Sequence, residues 1–200
     1  TEVLSTIAAN SDSVFVGTAP GASFLLLRSE FGPLANLVEE DFWTQAVEYA
    51  DSVGADIVTS SLGYTEFDDK AASHKYREQD GRTALISRTA SMISGKGMIL
   101  TNCAGNTGAA EWKRIGFPGD AHDVLTVGAL APDSTNTTFS SVGPTYDGRV
   151  KPDVMAMGGY CTVINGKGLV AHANGTSFST PTPCAPTTFS LPLPSEDTLL

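Results

Sequence analysis

Stretches with helical spacing of apolar positions alternate along this chain with short continuous apolar runs. Thr1 to Ala9 (TEVLSTIAA) places Val3, Leu4, Ile7 and Ala8 on one face, which predicts a short buried helix. Gly17 to Ala22 (GTAPGA) is a turn signal, and the run Phe24 to Arg28 (FLLLR) suits a strand buried on both faces. From Glu39 to Val53, Phe42, Val47 and Val53 recur among charged residues, with acidic side chains at the front where the helix dipole favours them. An amphipathic helix on a sheet is the expectation. Ala55 to Ser60 (ADIVTS) is the next strand, and it runs into Ser61-Leu62-Gly63. Tyr64 to Arg82 is polar and charged, a surface excursion that puts His74 in water. Leu85 to Gly95 is a second helix closed by Gly95 or Gly97, followed by a strand from Met98 to Asn102. After a loop containing Trp112, Val124 to Ala129 is another buried strand. Helix and strand in alternation predict an α/β fold in three layers, a mostly parallel sheet flanked by helices.

Composition narrows this picture. Two hundred residues with 41% hydrophobic and 17% charged content bury a sizeable core, so one domain or most of one is expected. A formal charge of -10 argues against a nucleic-acid partner, because little here would neutralise phosphates. Cys103, Cys161 and Cys184 are too few for a disulfide framework and show no C-x-x-C spacing. No apolar run approaches membrane-span length, and no signal-peptide pattern opens the chain.

The chemistry concentrates near the end, in Asn174 to Pro181 (NGTSFSTP). Small residues lead into Ser177 and a proline follows, which suits a sharp loop opening into a helix with the serine over unpaired backbone N–H groups. An ordinary Ser/Thr helix cap reads equally well from these eight residues alone. The nucleophile elbow of α/β-hydrolases is disfavoured, since Ser179 stands where it needs glycine. Upstream, the strand ending at Asn102 delivers Ala104-Gly105-Asn106-Thr107-Gly108 (AGNTG) to the carboxyl end of the sheet, where such sheets bind ligands. A phosphate cradle is the rival reading, but no G-K-[ST] follows.

NGTSFSTP resembles the G-T-S-x-[AS]-x-P nucleophile motif of subtilisin-like serine proteases. TEVLSTIA resembles the segment after their catalytic histidine, AGNTG their A-G-N-x-G loop, and Ser61-Leu62-Gly63 their S-L-G segment. Phe139 to Pro144 (FSSVGP) and Lys151 to Val154 (KPDV) match further runs in family order, with Met157 standing where proline is usual. The resemblance extends to Pro181, so residues 1–181 are expected to be a partial peptidase domain. Residues 182–200, punctuated by Pro183, Pro186, Pro192 and Pro194, are a divergent tail that cannot carry the family's central helix.

The resemblance implies Ser177 as nucleophile and Asn106 as oxyanion donor. It implies that Ser61, Leu62, Gly63, Ala104 and Gly105 bind an extended substrate. It places the base histidine two positions before residue 1 and the orienting aspartate further upstream, so the fragment alone is expected to be inactive. His74, His122 and His172 are expected at the surface or in packing. No cofactor is required, calcium enters only by resemblance, and a secreted or cell-envelope parent is implied. Two other readings stand: a non-catalytic module of the same fold that binds extended peptides, and a truncated product without a stable fold. Aspartate and His-Gly upstream of Thr1 would favour the enzyme.

Overall fold

The computed structural model describes residues 1–32 and 35–183. Cys184 and the rest of the proline-rich tail lie outside the described residues. In chain order the elements are α1 (Glu2–Ala8), β1 (Asn10–Ser11), β2 (Phe15–Val16), α2 (Val38–Ser52), β3 (Ile57–Ser60) and a 3-10 turn (Tyr76–Glu78). They continue as α3 (Leu85–Gly95), β4 (Ile99–Cys103), β5 (Leu125–Leu130), β6 (Val154–Met157), β7 (Cys161–Ile164), β8 (Val170–Ala173) and α4 (Thr176–Ser179).

Strands β3, β4, β5 and β6 form a parallel sheet in that order, with Ile57 opposite Ile99, Thr101 opposite Leu125 and Val127 opposite Val154. The α/β reading of the sequence is correct. In β4 Leu100 to Cys103, and in β5 Thr126 to Ala129, are buried at consecutive positions, as expected of strands covered on both faces. Helices α2 and α3 supply Trp43, Val47, Ala50, Ile86, Ala90 and Ile93 to a core that also holds Leu100, Phe117 and Val124. The buried face of α2 is thus centred on Trp43, while Val53, counted on the apolar face from the sequence, is 52% exposed. The antiparallel hairpin β7–β8 packs Val163 and Phe178 in a second, smaller cluster. Lys151, from KPDV, latches the sheet from beneath. Its Nζ donates to the carbonyl of Val124 at 2.9 Å, to Thr126 Oγ1 at 3.1 Å and to Asp153 Oδ2 at 2.7 Å.

Two expectations are corrected. Phe24 to Arg28 is not a strand: Phe24, Leu25, Leu26 and Leu27 are 41–70% exposed, and residues 23–29 make no backbone–backbone hydrogen bond among the described residues. An apolar run becomes a buried strand only beside another strand. Here a cavity of about 1120 Å³, lined by residues 23–30 and 55–62, separates this run from β3. The second correction concerns His74, expected in water. Its side chain is only 8% exposed, because the excursion folds back onto the start of α2 and carries Tyr64, Phe67 and Gln79 into the interior.

Candidate active site

The site lies where the carboxyl end of β4 meets the start of α4. A parallel sheet aims the loops after its strands to one edge, so residues remote in sequence meet there. The loop after β4 turns at Gly105, whose φ of +106° favours glycine and where a Cβ would lie 2.9 Å from Ser141 Oγ. Ser141, from FSSVGP, braces the loop. Its N–H donates to the Gly105 carbonyl at 2.9 Å, and its hydroxyl accepts from the Thr107 N–H at 3.1 Å.

Asn106 and α4 are joined directly. The Thr176 N–H donates to Asn106 Oδ1 at 2.8 Å and the Thr176 hydroxyl donates to the same oxygen at 2.9 Å, while the Gly105 N–H donates to Thr176 Oγ1 at 3.2 Å. Two donors on one oxygen fix the orientation of the amide, so Nδ2 is the end left to donate. No described residue accepts from Asn106 Nδ2 or from the Ser177 N–H. Asn106 Nδ2 and the Ser177 N–H are therefore two unclaimed donors on elements that Thr176 ties together. Replacing Thr176 by valine removes two neutral hydrogen bonds from this lock, the one its hydroxyl donates to Asn106 and the one it accepts from Gly105, each worth about 0.5–1.5 kcal/mol. The expected outcome is a melting temperature lowered by a few degrees, read by thermal unfolding.

The Ser61 hydroxyl donates to the Ser177 carbonyl at 2.9 Å, and the Ser177 hydroxyl reaches the Ser61 carbonyl at 3.4 Å. The S-L-G segment is thereby tied to the nucleophile candidate. The Leu62 carbonyl accepts from Asn102 Nδ2 at 3.2 Å, whereas the exposed Gly63 has neither its N–H nor its C=O engaged among the described residues. Gly116 donates its N–H to the Ala104 carbonyl at 3.0 Å, and a Cβ on it would stand 3.6 Å from Gly63 Cα. Ser61 to Gly63 and Ala104 to Asn106 thus follow β3 and β4 at the same edge of the sheet, with the buried Gly116 between Gly63 and Ala104.

At the far side, the Gly175 N–H donates to the Gly158 carbonyl at 2.9 Å. A Cβ on Gly158 would lie 2.5 Å from Ala129 Cβ and 2.9 Å from the Gly175 carbonyl. Gly158→Ala is expected to destabilise by about 1–3 kcal/mol and to displace the Ser177 turn, measured by the melting temperature together with activity.

None of the three histidines bonds to the Ser177 hydroxyl. His172 stacks on Tyr160 at 4.1 Å, His122 faces the Asp80 carbonyl at 3.1 Å, and His74 lies between Glu40 and Glu78. Burial pushes the Cys103 thiol up to about 11, and Cys103 and Cys161 are both free and buried. Among the described residues no group of three or more His, Cys, Asp or Glu is placed to hold a metal ion, and no helix is long and apolar enough to cross a membrane. Thr176, Ser141 and Gly116 were not singled out from sequence. Thr176 and Ser141 sit inside the quoted motifs, but spacing alone does not say which side chain braces which.

The model of the subtilase family matches residues 1–185. The chain belongs to the subtilase family. It is 31% identical over 162 residues to serine protease AprX of Bacillus subtilis (strain 168), covering 75% of this chain and 34% of that protein. It is 27% identical over 187 residues to subtilisin DY of Bacillus licheniformis, covering 90% of this chain and 58% of the relative. The self-cleaved protease domain of PatA superposes with a TM-score of 0.72 at 24% identity, over 92% of this chain and 63% of that one. The epidermin leader peptide processing serine protease of Staphylococcus aureus superposes with a TM-score of 0.69 at 20% identity, over 92% and 51% respectively. At those identities the superpositions speak for the subtilase fold alone. The chain spans between a third and three fifths of the length of these two curated relatives.

Proposed function

We propose that this subtilase chain is the nucleophile-bearing part of a serine endopeptidase. An extended peptide lies against Ser61 to Gly63, bonding its backbone to the open N–H and C=O of Gly63, while small residues let the chains approach closely. The Ser177 oxygen attacks the scissile carbonyl, and its proton passes to a histidine base contributed by residues upstream of Thr1 and oriented by an upstream aspartate. Asn106 Nδ2 and the Ser177 N–H hold the oxyanion that forms. The C–N bond then breaks, the amine leaves with the proton, and water releases the acyl group.

The observation that supports this reading best is the double donation from Thr176 to Asn106 Oδ1, which holds Asn106 against the residue preceding Ser177 and leaves Nδ2 unclaimed. The parent is proposed to be secreted or in the cell envelope and to act on peptides or proteins, with calcium suggested by family resemblance alone. The 200 residues by themselves are expected to show no turnover of a peptide p-nitroanilide that the parent hydrolyses. Measurable turnover by the purified fragment would overturn the assignment of the base to upstream residues.

The free edge at Gly63 also suits a non-catalytic module that binds extended peptides. Recovery of the upstream sequence separates the two: aspartate and His-Gly there support the enzyme, and their replacement supports the binder.

A further inference from the structure

His74 lies outside the chemistry just described, yet few side chains here are more constrained. Its Nε2 lies 2.5 Å from Glu40 Oε1, and its Nδ1 lies 3.2 Å from Glu78 Oε2. Its ring stacks on Phe117 at 4.2 Å and 28°, with Phe67 at 5.6 Å on a tilted approach. A neutral imidazole has one N–H and one lone pair, so it satisfies one of these carboxylates and turns a lone pair to the other. Only the imidazolium donates to both. Glu40 is 2% exposed, and a carboxylate so enclosed requires a hydrogen-bonded countercharge. A cation over the Phe117 ring face adds to the same preference.

Other ionisable groups gather around this one. Glu40 reaches it from α2 and Glu78 from the 3-10 turn. The Tyr64 hydroxyl, from the strand end beyond β3, is pushed up by burial and then by the charges of Glu30, Glu39 and Glu40. Glu30 is raised by burial and by Glu39. In this acidic surrounding, burial pulls the His74 pKa down, but the hydrogen bond and charge of Glu40 and then those of Glu78 outweigh it and leave it above 6.5.

The ring it stacks on is buried behind the S-L-G segment. Phe117 and Tyr64 exchange backbone hydrogen bonds at 2.9 and 3.0 Å, which pins Gly63 beside Gly116, and the Gly116 N–H is held by the Ala104 carbonyl. His74 thus joins the start of α2 to the wall against which the substrate is proposed to lie.

We propose that His74 is a positioning residue for the peptide cleft: as an imidazolium bridging Glu40 and Glu78 it presses Phe117 into place and so sets the Gly63–Gly116 wall, and loss of its proton loosens that wall and weakens peptide binding. The second half rests on the peptidase reading of the cleft. The sign follows from the raised pKa. The clamp is complete below 6.5 and is lost as the pH rises through the higher folded value. Binding is lost in that direction, not on acidification.

The test uses the full-length parent in two arms. In the first, the parent carrying Ser177→Ala, to prevent self-digestion, is labelled at His and Gly and titrated by NMR. The His74 ring is expected to titrate above 6.5, with the Gly63 and Gly116 amides moving at the same midpoint. In the second, KM and kcat for a peptide p-nitroanilide are followed against pH in the active enzyme. KM is expected to rise about fivefold or more across the His74 midpoint without a matching change in kcat. Glu78→Gln should carry both midpoints to lower pH together, and His74→Gln should abolish the step. Amides that ignore the His74 titration, or a KM step that survives His74→Gln or stays put in Glu78→Gln, would overturn the proposal. A parent without turnover would sink the peptidase reading instead, and the first arm would then decide the clamp by itself.

Discussion

Replacing Ser177 by alanine in the full-length parent is expected to abolish labelling by a fluorophosphonate and to lower kcat for peptide hydrolysis by about 10⁶-fold, the size known for loss of a subtilisin nucleophile. The expectation follows from where the hydroxyl sits. Ser177 is half-buried at the first turn of α4, its carbonyl held by the Ser61 hydroxyl at 2.9 Å and its own hydroxyl turned toward the Ser61 carbonyl at 3.4 Å. The long second contact leaves the oxygen lightly engaged, as the proposed nucleophile requires. Alanine keeps the backbone N–H and the Ser61 contact, so the melting temperature and binding of an extended peptide should stay close to those of the unmodified parent. A variant that still labels would place the nucleophile elsewhere.

The second large effect belongs to Asn106. Asn106→Ala removes Nδ2 and leaves the Thr176 N–H and hydroxyl without their shared acceptor, so the donor proposed for the oxyanion and its mounting are lost together. A fall of about 10²–10³-fold in kcat is expected, the size known for the corresponding donor of a subtilisin, with KM little changed. The split matters because a ground-state carbonyl is shorter of charge than the oxyanion, and a donor aimed at the latter acts on kcat. Steady-state kinetics on a peptide p-nitroanilide reads it. Because Thr176 works through Asn106, Thr176→Val added to Asn106→Ala should cost little more, and the double variant makes that non-additivity measurable. An increase in KM alone would mean that Asn106 binds substrate and leaves the oxyanion to other groups.

Local pattern carried some of this structure and not the rest. Helix α3 runs over Leu85–Gly95, the span expected, because its apolar period is regular, and of the two glycines offered as its end Gly97, with φ of +97°, follows the cap at Lys96. Strands β4 and β5 begin and end within a residue of the apolar runs that encode them. The run at Phe24 to Arg28 shows the limit. Its composition is that of a doubly buried strand, but pairing is a property of neighbours, and across the cavity it has none among the described residues. The hairpin β7–β8 carries polar and glycine residues through its turn and little alternation, so it offered no periodic signal.

In the site, motifs named Ser177, Asn106 and the S-L-G segment, and the sheet brings Asn106 to Thr176 and Ser61 to Ser177. What they could not convey is who braces whom. The double donation from Thr176 to Asn106 and the Ser141 support beneath Gly105 depend on contacts between residues many positions apart. His74 was missed for the opposite reason. A histidine amid charged residues reads as solvated, and only the fold-back of its loop onto Glu40 and Phe117 buries it.

Convergence of the Ser177 hydroxyl and the Asn106 carboxamide on one carbonyl is the claim on which the function rests. A crystal structure of the parent with a peptide boronic acid bonded to Ser177 Oγ tests it directly. The expected result is a boronate oxygen about 2.7–3.1 Å from both Asn106 Nδ2 and the Ser177 nitrogen, with Asn106 Oδ1 still held by Thr176. An adduct whose oxygens point to solvent, with Asn106 Nδ2 bonded to none of them, would contradict it.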